Sequence, residues 1–434
     1  MNVTVIGTGY VGLIAACCLA NSGHKITGVE KNNIKLDMLR QRKSPIYEEG
    51  LDEILNKVID NGSISFTDDL ATTMDTADLV IIAVGTPSLA DDRADLSQIF
   101  AVAETITALA KKPLTVVMKS TVPPGTGKML VERYFSKCAQ QISYVSNPEF
   151  LREGRAVWDW YNTDRIIIGS QNTEAANQLN ELYADLNVPK IHMDVTSAEM
   201  VKYASNAFLA TKISFINEIA NLCEYVGADI DAVAPAVGMD NRIGKQFLHA
   251  GLGYGGSCFP KDTKGLRFIA SYYGYPFSVL KAVMEVNSAQ KIRGMRKLLT
   301  ALDNNLYNKK IALFGLSFKP GTDDTRESPG LDIAEMLISE GAQVHACDPL
   351  ALASAQTLLH SDHISFYEDP YQAISGCHAI VLATEWPEFI HLDWQKIKAA
   401  MQAPYVLLDG RNAIPKESIQ NLGFHYLSFG RTAN

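Results

Sequence analysis

Three glycines near the start of the chain, in Gly7-Thr8-Gly9-Tyr10-Val11-Gly12, follow the apolar run Val3–Gly7 and open a helix-length apolar stretch. Glycines at that spacing let the backbone approach a pyrophosphate at the positive end of a helix, where N–H groups lack partners. An acid about 20 residues further on completes the pattern. Here it is Glu30, at the end of a second β-rich run, Lys25–Glu30. Its carboxylate would accept from the ribose hydroxyls and repel a 2′-phosphate, so NAD is expected over NADP. The same glycines interrupt the apolar N-terminus, which also lacks the basic flank of a secretion signal.

Past this turn, residues 1–190 alternate short β-branched runs with amphipathic stretches, with further strands expected at Leu79–Val84, Leu114–Lys119 and Arg165–Ile168. Near-continuous apolar strands separated by helices predict a parallel sheet covered on both faces. One long helical pattern then runs from about Ser197 to Val226. Thr196 and Glu199 stand at capping-box spacing before it, and Gly227 marks its stop. Helical pattern continues to about residue 301, broken by a Gly-rich loop at 251–257. Alternation resumes with Ile311–Gly315, Gln343–Cys347, Ala379–Ala383 and Val406–Asp409. The fold class read from this is α/β: two Rossmann-like doubly wound parallel-sheet domains joined by a long central helix and a helical middle domain. The boundaries are 1–196 for NAD binding, 197–300 for the helical middle and 301–434 for the second α/β domain. The second βαβ unit, ending at Asp348, lacks the contiguous glycine fingerprint, so only the first is built for a dinucleotide.

A net charge of −9 argues against nucleic acid or an anionic membrane as the main partner. No segment offers about 18 apolar residues without charges, so no membrane span is expected. Seven cysteines in 434 residues make no disulfide scaffold, and a reducing, cytoplasmic setting follows. The nine histidines form no pair at zinc-ligand spacing, so no metal is expected.

One cysteine differs from the rest. Cys258 lies in Gly253-Tyr254-Gly255-Gly256-Ser257-Cys258-Phe259-Pro260-Lys261-Asp262, just before a helix that Pro260 suits as a first-turn residue. A thiol at a helix N-terminus beside a lysine has the surroundings that favour thiolate. Cys17, Cys18, Cys138, Cys223, Cys347 and Cys377 read as small hydrophobes. Lys202 and Asn206 share a helix face and would either hold a developing oxyanion or form a solvated stripe. Glu149 and Glu153, in Asn147-Pro148-Glu149-Phe150-Leu151-Arg152-Glu153-Gly154, read equally as catalytic or surface acids.

These residues resemble those of the UDP-glucose 6-dehydrogenases, in the superfamily of NAD-dependent nucleotide-sugar dehydrogenases shared with GDP-mannose dehydrogenase. The likeness runs from the glycine turn through Val84-Gly85-Thr86-Pro87, Lys119-Ser120-Thr121-Val122-Pro123-Pro124-Gly125-Thr126, Asn147–Gly154, Gly255–Asp262 and Phe318–Arg326 to Asp409-Gly410-Arg411-Asn412. The resemblance implies a four-electron oxidation of an alcohol to an acid, with two NAD used in succession. It implies Cys258 as nucleophile, Lys202 and Asn206 as oxyanion donors, Asp262 with a water near Thr121 as base, and Glu149 as the aid to thioester hydrolysis. Cofactor contacts are implied at Gly7, Gly9, Tyr10, Val11, Gly12, Glu30, Lys35, Thr86, Thr121, Glu153, Lys261 and Arg326. Substrate contacts are implied at Glu149, Phe150, Leu151, Arg152, Glu153, Lys202, Asn206, Phe247, Leu248, His249, Ala250, Gly251, Gly255, Phe318, Lys319 and Arg411. Arg242 would reach into the partner's substrate site in a homodimer built on the central helix. The stretch Arg155–Tyr161 is more aromatic than the family pattern leads one to expect.

UDP-glucose against GDP-mannose is the close contest for substrate. The Thr384–Phe389 stretch and the Asp409–Asn412 motif resemble the UDP-glucose branch, and GDP-mannose 6-dehydrogenase is the alternative. The N-acetylhexosamine branch, with a histidine before its cysteine, fits poorly. A catalytically silent NAD-binding module would predict damage to Cys258, Lys202 or Asp262, and all three are present.

Overall fold

The structure, a computed structural model, describes residues 1–431. The chain forms two compact units. One comprises Met1–Ser205 with Lys264–Ile269, the other Asn206–Thr263 with the chain from Ala270 on.

The first unit holds an eight-stranded sheet of β1 (Asn2–Ile6), β2 (Lys25–Val29), β3 (Ile64–Thr67), β4 (Leu79–Ile82), β5 (Leu114–Met118), β6 (Ile142–Ser146), β7 (Ile166–Gly169) and β8 (Lys190–Met193). Their order is β3-β2-β1-β4-β5-β6-β7-β8. Side chains alternate between faces, so Val3, Val5 and Ile81 enter one core while Ile6, Val80 and Ile82 enter another. The helix Tyr10–Asn21 is buried all round from Gly12 to Ala20, which explains its uniformly apolar sequence.

The second unit holds a six-stranded parallel sheet of β9 (Lys310–Phe314), β10 (Gln343–Cys347), β11 (Ile364–Tyr367), β12 (Ala379–Leu382), β13 (Val406–Asp409) and β14 (His425–Leu427), ordered β11-β10-β9-β12-β13-β14. Ile311 and Leu313 face one core, Ala312 and Phe314 the other. Helices Ile230–Gly238, Phe259–Tyr272 and Ser278–Ala301 account for the helical pattern of the middle region.

Three expectations need correction. The first sheet is not wholly parallel, because β7 meets β6 antiparallel at Ser146 and Gly169. The segment between them carries only the short helix Ala156–Tyr161 and turns back at the C-terminal end of β6 instead of recrossing the sheet. Strands β3, β6, β8, β11 and β14 were not expected at all. The long helix spans Val195–Val226, which places Thr196 inside it. Asp194 takes the capping role, accepting from the Ser197 amide at 2.9 Å. Glu199 instead turns to another helix, Thr126–Arg133, and accepts from the Gly125 and Gly127 amides at 2.7 Å each. Burial nevertheless pushes its carboxyl up to about 7.

Candidate active site

In the first unit, the glycine turn has a distinct reason for each glycine. Gly7 sits at φ +89°, and a Cβ there would lie 2.9 Å from the Ala83 carbonyl oxygen. A Cβ on Gly12 would run into the carbonyl of Gly7 itself. At Gly9 a Cβ would meet nothing within 4 Å, and no side chain caps the helix that starts at Tyr10. The positive end of that helix is therefore open to an anion. Glu30 lies beside the turn, accepting from the Thr8 hydroxyl at 2.8 Å, the Thr8 amide at 3.2 Å and the Asn32 amide at 2.9 Å. Thr86 donates to the Thr121 carbonyl at 2.9 Å, joining two of the expected cofactor residues. Tyr10 spends its hydroxyl on Glu48 and receives the Gly154 amide at 2.8 Å. Lys35 stands in the first turn of the helix Asn33–Arg40, its amide bonded to Asn32.

The same unit gathers Lys202, Glu149 and Phe150. Lys202 Nζ donates to Glu149 Oε1 at 2.9 Å, with only 5% and 6% of the two side chains exposed. The Leu151 amide bonds the other carboxylate oxygen, and Lys202 Nζ lies 5.4 Å from the Phe150 ring centre. Arg165 covers that ring at 4.3 Å. Arg152 is committed to Asp159, with its amide and Nε each 2.9 Å from Oδ2. The aromatic stretch has a role too. Trp160 lies 5.6 Å from Lys119 Nζ and 5.8 Å from the Tyr183 ring.

In the second unit, Cys258 is half-buried just ahead of the helix Phe259–Tyr272, its Sγ 3.5 Å from the Ser257 hydroxyl. Asp262 follows one turn later, 1% exposed, and takes a bond from Asn206 Nδ2 at 2.6 Å. The Lys261 ammonium also turns to Asp262, at 2.5 Å. The lysine expected to act on the thiol pairs with the Asp262 carboxylate, and the thiol stands at the positive end of the helix. Burial pushes the thiols of Cys17, Cys18, Cys347 and Cys377 up, in keeping with inert core residues.

The glycine loop before Cys258 is moulded by close neighbours. A Cβ on Gly256, at φ +84°, would lie 2.7 Å from the Phe318 ring, and the Gly256 amide bonds the Arg326 carbonyl at 2.9 Å. A Cβ on Gly255 would strike the Glu327 carbonyl, and one on Gly251 the Gly410 carbonyl. Of the expected substrate loop, Leu248 and Ala250 are 6% and 5% exposed and belong to the core, so their backbone is what remains to contact a ligand. His249 is exposed, and Phe247 packs on Phe259 at 6.1 Å. Lys319 lies 5.2 Å from the Phe318 ring centre. Arg411 donates to the carbonyls of Ala383 (2.7 Å), Phe318 (3.0 Å) and Gly253 (3.1 Å), tying three segments together. Arg326 pairs with Asp324, and Arg242, whose side chain is 89% exposed, pairs with Asp240.

Residues 1–187 match the NAD binding domain of the UDP-glucose/GDP-mannose dehydrogenase family, residues 196–289 its central domain and residues 312–416 its UDP binding domain. The chain belongs to this family. It is 44% identical over 434 residues to the UDP-glucose 6-dehydrogenase TuaD of Bacillus subtilis, covering 100% of this chain and 94% of that one. It is 43% identical to the UDP-glucose 6-dehydrogenase of Rhizobium meliloti, over 99% of this chain and all of that one. The solved UDP-glucose dehydrogenase of Pyrobaculum islandicum superposes with a TM-score of 0.91 at 37% identity, covering 98% and 96% of the two chains. The chain is thus an NAD-dependent oxidoreductase of the family. The glycine turn fits NAD on its own geometry, since the uncapped helix end would offer amides to a pyrophosphate and the Glu30 carboxylate beside the turn would be available to ribose hydroxyls.

Sequence reasoning missed several residues around this family's motifs. Lys119 is buried, 6% exposed, and donates to Asn147 Oδ1 at 2.9 Å and Tyr183 Oη at 3.3 Å. Burial pulls its ammonium down to about 8, with Lys202 adding to the fall and Glu149 opposing it. Glu48 accepts from the Gly154 and Ala156 amides and so holds the end of the Asn147–Gly154 stretch. Lys119 opens one of the quoted motifs without a role assigned to it there, and nothing in the sequence pattern points to Glu48. Among the described residues, no three His, Cys, Asp or Glu are placed to hold a metal ion, and no helix is long and apolar enough to cross a membrane.

Proposed function

We propose that the chain oxidises the C6 hydroxyl of UDP-glucose to the carboxylate of UDP-glucuronate, through a thioester on Cys258. The observation that carries this reading is the pairing of Cys258, at a helix N-terminus, with Asp262 one turn later, buried and held by Asn206 and Lys261. The full-length likeness to UDP-glucose 6-dehydrogenases at 43–44% identity supports UDP-glucose as the substrate.

Bound NAD supplies the hydride acceptor for each of the two oxidations. Asp262 takes the hydroxyl proton through a water near Thr121 as the aldehyde forms. Cys258 Sγ then adds to the aldehyde carbon, and Lys202 and Asn206 steady the oxygen anion that results. Oxidation of this hemithioacetal leaves a thioester. Glu149 aids the attacking water, whose oxygen ends in the carboxylate as the C–S bond breaks and the thiol is restored. Lys319 and Arg411 are assigned to the sugar nucleotide, Arg326 and Lys261 to the cofactor. The three-part division at 1–196, 197–300 and 301–434 belongs to this proposal.

A homodimer through the long helix is part of the same reading. Phe208, Phe215 and Leu222, seven residues apart, are 66%, 54% and 55% exposed on one stripe of it, an apolar seam that suits a second copy. Arg242 would then act in the partner's site. A cytoplasmic setting suits seven free thiols.

Cys258→Ser tests the chemistry. It should lose turnover by several orders of magnitude, still bind UDP-glucose and NAD, and still reduce the C6 aldehyde when supplied with NADH. Rapid formation of UDP-glucuronate by this variant would overturn the covalent route and leave direct hydration of the aldehyde in its place.

A further inference from the structure

We propose that Arg431 is a positioning residue for nucleotide-sugar binding, clasping the loop that presents Arg411. The inference rests on the reading above that this loop holds the substrate. The loop leaves β13 at Asp409 and runs to Ile414. Its Asn412 stands in the left-handed region at φ +52°, which asparagine tolerates better than most residues and which fixes the direction of the loop. Residues 429–431 hold it there. Asn412 Nδ2 donates to the Phe429 carbonyl at 2.7 Å, and its Oδ1 accepts from the Phe429 amide at 3.0 Å. Arg431 then spreads its fork over the same loop. Nη2 donates to the Asn412 carbonyl at 2.5 Å and Nη1 to the Ile414 carbonyl at 2.9 Å, with Tyr426 Oη also in reach.

The clasp is anchored from behind. Arg431 Nε donates to Asp231 Oδ2 at 2.7 Å, and the Gly430 amide donates to Glu224 Oε1 at 2.8 Å. Glu224 is itself held by Arg293 and Lys297 at 2.7 Å each. The carbonyls that Arg431 grips belong to the residue just after Arg411 and to one two positions further on. Arg411 has little slack of its own, since three backbone carbonyls fix its guanidinium. The clasp acts on the backbone from which Arg411 reaches those partners, and releasing it would loosen the base of a side chain whose direction matters for an anionic ligand.

Calorimetry with UDP and with NAD on the full chain tests this, using Arg431→Gln, Asn412→Gly and Arg411→Gln. Glycine at 412 keeps the backbone conformation and removes only the side-chain bonds. Both clasp variants should weaken UDP about tenfold and leave NAD affinity unchanged. In turnover, KM for UDP-glucose should rise while kcat holds. Arg431→Lys should not restore affinity, because one ammonium does not reproduce the fork. If the clasp variants only melt earlier while the folded protein binds UDP normally, the role is structural and the proposal falls. That result, together with weakened UDP binding by Arg411→Gln, leaves the substrate assignment standing. Unchanged UDP binding by Arg411→Gln overturns the assignment itself.

Discussion

The two sheets begin with the same turn and use it in opposite ways. Each first strand is followed by a glycine at positive φ, Gly7 at +89° and Gly315 at +101°. Each following helix packs a glycine, Gly12 or Gly330, so closely that a Cβ would strike the carbonyl of that first glycine. Each second strand is followed by an acid that accepts from the turn. Glu30 takes the Thr8 amide and hydroxyl, while Asp348 Oδ2 takes the Leu316 amide at 2.7 Å, the Ser317 amide at 3.0 Å and Trp386 Nε1 at 3.2 Å.

The difference lies in what fills the turn. After Gly7 the helix starts at Tyr10, and its positive end stays open. After Gly315 the helix starts only at Pro329, and Ser328 caps it by accepting from the Gly330 amide at 3.1 Å. Asp348 is 1% exposed, and its carboxylate is spent on the amides of its own turn and on Trp386. The intervening loop carries Phe318, Lys319 and Arg326 instead. One scaffold thus serves either as an anion site or as a stem for a recognition loop, according to whether its helix end is capped from within.

Substituting the matched acids should separate the two uses. Asp348→Ala leaves the Leu316, Ser317 and Ala351 amides without their acceptor, and should cost roughly 3–5 kcal/mol of stability in denaturant titration. NAD affinity should be untouched. Glu30→Ala should cost little stability, yet weaken NAD about tenfold and narrow its margin over NADP in steady-state kinetics. Should Glu30→Ala prove the more destabilising of the two, the contrast between open and filled turns would be wrong. Ser328→Ala should produce the smallest change, a loss of about 1 kcal/mol from a missing helix cap, with no gain of NAD binding at the second turn.

The sequence shows one of these turns plainly and hides the other. Gly7, Gly9 and Gly12 stand together, so the fingerprint is contiguous. Gly315 and Gly330 perform two of the same packing tasks, but the loop between them breaks the spacing that a pattern detects. Strands in the middle of each sheet, such as β1 and β4, are apolar on both faces and legible. The edge strands β3, β8, β11 and β14 are three or four residues long and carry little pattern. Thr196 and Glu199 have the spacing of a capping box, yet Glu199 finds two amides far away in sequence, and local spacing reports nothing about such partners. The roles of Lys119 and Arg431 were hidden for the same reason, because each gains meaning only from groups that the fold brings to it. Cys258 was legible because its helix lies immediately beside it.

Calorimetric titration of NAD and of UDP-glucose into the unmutated chain and into Gly12→Ala tests the account most directly. One NAD and one UDP-glucose should bind per unmutated chain. A methyl group at Gly12 would press on the Gly7 carbonyl and spoil the open turn, so Gly12→Ala should weaken NAD about a hundredfold. UDP-glucose should bind this variant normally, which also shows that the chain has folded. Two NAD per chain, or NAD affinity unchanged in Gly12→Ala, would contradict the assignment of the dinucleotide to the first turn alone.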